Sequence, residues 1–240
     1  MNLTGKTILL TGGTDGIGRA LALQLRALGA TVIVTGRTPE RLADMAAQGF
    51  ETIAAELSGP DGVAAVLAGL GDRPIDVLVN NAGAGTGHDF RLAAPDLADN
   101  DRCIFLNLNA PIHLITHLMP VLRARGEAMI VNVTSGLAIA PRSGAPVYCA
   151  TKAALRSYTQ ALRAQLAGTG IHVLEALPPV VETKMTAGRN QRKMPAAECA
   201  RQIIVAMQRN APEANVGLTR LLRTVYSLSP ALARKVMLRF

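Results

Sequence analysis

Short apolar runs alternate along this chain with longer segments whose apolar residues recur every three or four positions. Residues 6–10, 31–35, 52–55, 75–79, 128–134 and 171–177 suit strands of about five residues buried on both faces. Residues 17–28, 40–48, 61–70, 97–125 and 147–167 carry the helical period. This alternation predicts an α/β fold with a parallel sheet covered by helices on both faces. Right-handed crossovers then make it a doubly wound, Rossmann-like sheet. Beyond residue 184 the pattern changes. Residues 185–195 are polar and basic and read as a loop, 196–208 as a helix, and 216–218 as one last edge strand. We expect a single domain over residues 1–217, with a substrate-loop segment at 184–212, and a basic, amphipathic helical extension over 218–240.

Composition narrows the picture. At 240 residues, 49% hydrophobic and 18% charged, the chain buries a full core and is not disordered. Three cysteines argue against a disulfide scaffold and for a reducing compartment, so the expected location is cytoplasmic. The start, Met1 to Lys6, has no apolar stretch of the secretory kind. The uncharged stretch 103–122 holds two Asn, two His and two Pro, which makes it a poor bilayer span. The net charge of +8 is uneven: residues 1–183 carry 14 basic against 15 acidic residues, and residues 184–240 carry 11 against 2. With aromatics at 3%, this is not the pattern of a nucleic-acid binder.

Directly after the first predicted strand comes Thr11-Gly12-Gly13-Thr14-Asp15-Gly16-Ile17-Gly18, then a helix. Glycines here permit a tight turn, close approach of backbone to a pyrophosphate, and close helix–strand packing. The helix start offers unpaired N–H groups and a positive dipole end to phosphate.

Tyr148 and Lys152 stand four residues apart at the start of a predicted helix, on one face. An ammonium beside a phenol favours the phenolate, which suits a tyrosine for general acid/base work. Ser135 follows the strand at 128–134, and Asn80-Asn81-Ala82-Gly83 follows the strand at 75–79. In a doubly wound sheet the carboxyl ends of the strands line the ligand crevice, so the glycine turn, Asn81, Ser135 and Tyr148 should meet on one rim.

Over about residues 3–185 these motifs, in this order, resemble the classical short-chain dehydrogenase/reductase family. The resemblance implies an oxidoreductase that moves a hydride between a nicotinamide cofactor and a carbonyl or alcohol. It implies that Tyr148 exchanges the proton with the substrate oxygen, that Ser135 holds that oxygen, and that Lys152 binds the nicotinamide ribose and tunes Tyr148. It adds Asn107, whose main-chain carbonyl would hold a relay water. Pro111 supports Asn107 over Asn109, because a proline lacks the N–H that would occupy the carbonyl four residues earlier. The cofactor contacts it implies are Gly12, Thr14, Asp15, Gly16, Ile17, Gly18, Arg37, Leu57, Asn81, Ala82, Gly83, Tyr148, Lys152, Val181 and Thr183. Family members pair their long helices across two-fold axes, so a homodimer or homotetramer is expected.

The chain departs from the family in two places. Pro178-Pro179 replaces the usual Pro-Gly, which stiffens that turn, and Glu56 stands where an Asp is usual. Cofactor choice is argued both ways. Arg37 follows the second strand where NAD-type members place an acid, and a guanidinium suits a 2′-phosphate. Asp15 in the turn would repel that phosphate. The balance favours NADP(H) over NAD(H). No metal site is expected: His113 and His117 read as packed or interface side chains, Cys149 as a small buried one, and His88 and Arg91 as parts of a solvated loop.

Two other functions compete: a non-catalytic dinucleotide sensor on the same fold, and a membrane-surface partner acting through the basic C-terminal region. For that region, packing against a neighbouring subunit is the expected role. An anionic membrane surface, or an anionic-substrate site built with Arg189, Arg192 and Lys193, are the alternatives.

Overall fold

The computed structural model describes every residue except Arg189, Gln191 and Phe240. Its sheet has seven parallel strands: β1 (Thr7–Leu10), β2 (Thr31–Gly36), β3 (Glu51–Ala54), β4 (Val77–Asn80), β5 (Ala128–Val133), β6 (Ile171–Leu177) and β7 (Glu213–Asn215). Their order is β3-β2-β1-β4-β5-β6-β7. The order reverses direction between β1 and β4, which opens the ligand crevice of a doubly wound sheet at their carboxyl ends. The helices are α1 (Gly16–Ala27), α2 (Pro39–Ala47), α3 (Pro60–Leu70), α4 (Leu97–Ile104), α5 (Ala110–Arg123), α6 (Pro146–Gln165), α7 (Ala196–Gln208), α8 (Thr219–Leu228) and α9 (Pro230–Met237).

Alternation along the strands builds two cores. Ile8 and Leu10 point to one face, where Leu21 and Leu25 of α1 and Ile203 and Met207 of α7 cover them. Leu9 points to the other, under Val66 of α3, Leu114 and Leu118 of α5 and Leu162 of α6. Each fully buried Leu or Ile contributes about 1.5–3 kcal/mol. Between the cores runs a buried polar chain. Asn80 donates to Asn132 Oδ1 at 2.9 Å, and Asn132 donates to Thr159 Oγ1 at 2.9 Å, which ties β4 and β5 to α6 just below the crevice.

Two expectations need correction. The last strand is Glu213–Asn215, not 216–218. Pro212 accepts from the Glu175 N–H, Ala214 fills the inward place, and Gly217 with φ at +52° ends the extended run. The single helix at 97–125 is α4 and α5 joined by a π-helical segment, Phe105–Asn109. Pro111 has no N–H for the Asn107 carbonyl four residues back, and the helical ladder widens in the turn that leads up to it. By length and composition, Leu97–Arg123 is apolar enough to cross a membrane. Its row of Leu114, Ile115, Leu118 and Leu122 instead lies buried on the sheet.

Candidate active site

The glycine turn is held from both sides. Thr11 Oγ1 accepts the N–H groups of Asn81 and Ala82, both at 3.0 Å, and the Asn81 amide donates back to the Thr11 and Gly12 carbonyls at 2.9 and 3.1 Å. The tight packing explains the glycines. A Cβ on Gly18 would collide with the Gly12 carbonyl oxygen, and one on Gly16, whose φ is +51°, would lie 2.7 Å from Thr183 Cγ2. The turn therefore leads bare backbone into the N-terminus of α1, with Asn81 on one side and Thr183 on the other. These residues fit a dinucleotide pyrophosphate.

Asp15 caps α1, accepting from the Gly16 N–H at 2.8 Å, and its other oxygen meets the Arg41 guanidinium at 3.0 Å. Arg41, on the first turn of α2, thus offsets the acid that opposed a 2′-phosphate. Arg37 is 69% exposed and paired with Glu56 at 2.7 Å. Partial burial pushes the Glu56 carboxyl up, but the Arg37 hydrogen bond and charge outweigh it and hold the group below its ordinary value. Leu57, next to it, is buried.

Lys152 is buried on α6, and its Nζ donates to the Val133 carbonyl at 2.9 Å. Burial pushes this ammonium down to about 8. Nζ stands 5.9 Å from the centre of the Tyr148 ring, as helical spacing on one face dictates. Ser135, two residues after Val133, accepts the Leu137 N–H at 3.1 Å and so caps a short 3-10 turn. Asn107 is fully buried in the π-helical segment. Its side chain clamps the irregular run after Asn-Asn-Ala-Gly, donating to the Ala84 carbonyl at 2.8 Å and accepting the Ala84 N–H at 3.3 Å. A Cβ placed on Gly83 would lie 2.8 Å from Asn107 Oδ1 and 3.4 Å from Lys152 Nζ. One placed on Gly85 would lie 4.0 Å from both the Tyr148 ring and Met185 Sδ. Asn81, Gly83, Asn107, Ser135, Tyr148 and Lys152 therefore share the carboxyl-end rim with the glycine turn, as the motif order predicts.

This arrangement has its counterpart among known proteins: residues 6–194 match the family model described as short chain dehydrogenase. The chain belongs to the short-chain dehydrogenase family. This short-chain dehydrogenase is 42% identical over 196 residues to the oxidoreductase DltE of Bacillus subtilis (strain 168), a match covering 80% of this chain and 76% of that one. It is 38% identical over 190 residues to the serine 3-dehydrogenase of Agrobacterium fabrum, covering 76% and 75%. Among solved structures, a short-chain dehydrogenase from Sphingobium yanoikuyae in complex with NADPH superposes with a TM-score of 0.80 at 29% identity over 87% of each chain. The protein is an NAD(P)-dependent oxidoreductase acting on CH–OH groups.

The remaining sequence candidates fall outside this rim or change meaning. His113 packs edge-on against Phe105 at 5.4 Å. Arg91 pairs with Asp89 and His88 with Phe90, all within one loop. Arg189 lies outside the described residues. Val181 and Thr183 stand at the first end of a loop whose base is closed: Met194 donates to the Val180 carbonyl at 2.9 Å and accepts from the Glu182 N–H at 2.8 Å. Sequence reasoning missed that closure, the Asp15–Arg41 pair and the Asn107 clamp. Only Arg41 left a signal, as a second arginine four residues after Arg37.

Proposed function

We propose that this dehydrogenase interconverts a carbonyl and an alcohol using NADP(H), with Tyr148 as the group that exchanges the proton with the substrate oxygen. The gathering of Tyr148, Lys152, Ser135 and Asn107 on the rim beside the glycine turn carries the reading. Ser135 donates to the substrate oxygen and fixes it against the phenol. Lys152, buried and close to Tyr148, stabilises negative charge on the phenolate as the proton leaves. Asn107 supports the site twice: its side chain holds the Ala84 backbone, and its carbonyl, deprived of a donor by Pro111, is open to a water on the proton path. When bound, the nicotinamide supplies or accepts the hydride. A non-catalytic sensor has no use for all four side chains. Turnover of a panel of ketones, alcohols and β-hydroxy acids with each reduced or oxidised nicotinamide tests this; the hydroxy acids are included because a serine 3-dehydrogenase is among the relatives.

For the cofactor, Arg41 meets Asp15 of the glycine turn, Arg37 directly follows β2 and pairs with Glu56, and no carboxylate ends β2. We assign the 2′-phosphate to this arginine pair. Arg41→Ala and Arg37→Ala should each weaken NADPH by about 1.5 kcal/mol, roughly tenfold, the lower end for a charged hydrogen bond because Asp15 and Glu56 compete for the guanidinium groups. NADH affinity should barely move. Equal losses for both cofactors, measured by fluorescence titration, would show that neither arginine reads the phosphate.

We further infer a homodimer or homotetramer in the cytoplasm. Leu97 and Ile104 of α4 are exposed and Ile112 of α5 is half-buried outside the sheet-side core, apolar positions that suit a partner helix. Light scattering at micromolar concentration should give a mass of two or four chains; a monomer overturns the assembly. The three cysteines lie buried on α4, α6 and α7, as suits a reducing compartment.

A further inference from the structure

The helix pair α8–α9 carries apolar residues that the fold leaves outside. Leu218, just before α8, and Leu221, Val225 and Leu228 within it recur at spacings of three, four and three, which places them on one side. Thr219 and Leu222 turn inward, with Thr219 Oγ1 3.1 Å from where a Cβ on Gly136 would stand. Leu221 is 63% and Leu228 82% exposed. Next comes α9, which Ser229 caps by accepting the Leu232 N–H at 3.2 Å and Pro230 begins, and at or just after it Leu232, Val236 and Leu238 are also exposed.

Charge decides what suits this surface. From residue 214 to 240 the sequence holds Arg220, Arg223, Arg234, Lys235 and Arg239 and no Asp or Glu. Arg223 leans toward Glu213 at 3.7 Å. Among the described residues, Arg220, Arg234, Lys235 and Arg239 meet no carboxylate, and all four are exposed. A neighbouring copy was the expected cover. A two-fold contact sets a patch against itself, so this one would oppose arginine with arginine around its leucines. An apolar stripe flanked by unopposed cations instead matches an anionic lipid surface, which accepts leucines among its acyl chains and cations among its headgroups.

We propose that α8–α9 is a peripheral membrane-docking surface for anionic phospholipid. Leu218, Leu221, Leu228, Leu232 and Val236 enter the interface, and Arg234, Lys235 and Arg239 meet the headgroups. Because α8 begins against Gly136, directly after Ser135, docking sets the rim of the reaction site near the bilayer. The assignment does not depend on the proposed reaction.

Co-sedimentation of the full chain with phosphatidylglycerol–phosphatidylcholine vesicles tests it. At 0.1 M salt the chain should bind these vesicles and not pure phosphatidylcholine. Raising salt to 1 M, where the Debye length falls from about 10 Å to about 3 Å, should weaken binding at least about tenfold. Each basic side chain near an anionic leaflet is worth about fivefold. The triple variant R234Q/K235Q/R239Q should therefore lose at least about tenfold at low salt, and L221S/L228S should also lose binding. Both variants replace exposed side chains and should melt with the parent. Failure of the unaltered chain to bind anionic vesicles at 0.1 M salt overturns the proposal, whatever the variants do. So does binding that neither salt nor substitution changes. A drop in molar mass for L221S/L228S without vesicle binding would give the surface to a second copy. Retention on polyglutamate without vesicle binding would give it to an acidic protein.

Discussion

Replacing Tyr148 with phenylalanine is expected to lower turnover at least about 100-fold while leaving melting temperature and cofactor affinity near those of the parent. The substitution removes one hydroxyl from a half-buried side chain and keeps the ring itself. General acid/base catalysis contributes about 10²–10⁴-fold, and the substitution removes the hydroxyl that supplies it. Ser135→Ala should lower the rate by less, since the substrate oxygen keeps its proton donor. The wild-type pH profile carries a second signature. Burial holds Lys152 at about 8. The ammonium that favours the phenolate is present below that pH and lost above it, so the rate should bend near pH 8. Near-parental turnover of purified Tyr148→Phe would sink the assignment of the proton to this residue.

How much of this was visible in the chain follows from what kind of signal each part leaves. β1, β2, β4, β5 and β6 are fully or nearly fully buried, so they show as apolar runs. The motifs at their carboxyl ends are local, four to eight residues each, and parallel strands bring those ends to one rim without further information. β7 left no such run. It pairs on one side only, with polar Glu213 and Asn215 around a single inward alanine. The π-helical segment was also invisible: its residues keep helical composition, and only Pro111 marks the place where the ladder must widen. The pairing of Asp15 with Arg41, and of Asn107 with Ala84, depends on side chains meeting across 26 and 23 positions, a distance no local pattern encodes. The exposed leucines of α8 and α9 looked like a packing stripe because periodicity reports which residues share a side, not what covers that side.

The same limit hid the most consequential buried charge. Glu175 is fully buried on β6 between Thr134, which donates to it at 2.7 Å, and Arg156, whose guanidinium donates at 2.5 Å. Burial pushes the Glu175 carboxyl up, against the pull of Thr134 and Arg156. Arg156 lies one turn beyond Lys152 on α6 and also meets Glu213 of β7 at 3.0 Å. Thr134 directly precedes Ser135. The group thus joins α6, β5, β6 and β7 beneath the rim. Glu175→Ala removes one carboxylate and leaves Arg156, only 11% exposed, with Glu213 as its remaining partner. Losing one member of a buried pair costs about 3–5 kcal/mol, and the remaining carboxylate puts this case near about 3 kcal/mol. For a domain of this size that is a fall in melting temperature of roughly 6–12 °C. The pH dependence has a definite sign. A carboxyl raised above its unfolded value favours folding most below the unfolded pKa, and that contribution fades as pH rises through the folded pKa. The contribution of Glu175 in the parent therefore falls as pH rises through the folded-state value. Pairing Glu175→Leu with Arg156→Leu removes both charges and should recover most of the lost stability, since no buried ion is left without a counter-charge. A melting temperature for Glu175→Ala within about 2 °C of the parent, or a double variant no more stable than the single one, would show that this buried pair does not hold the floor of the site.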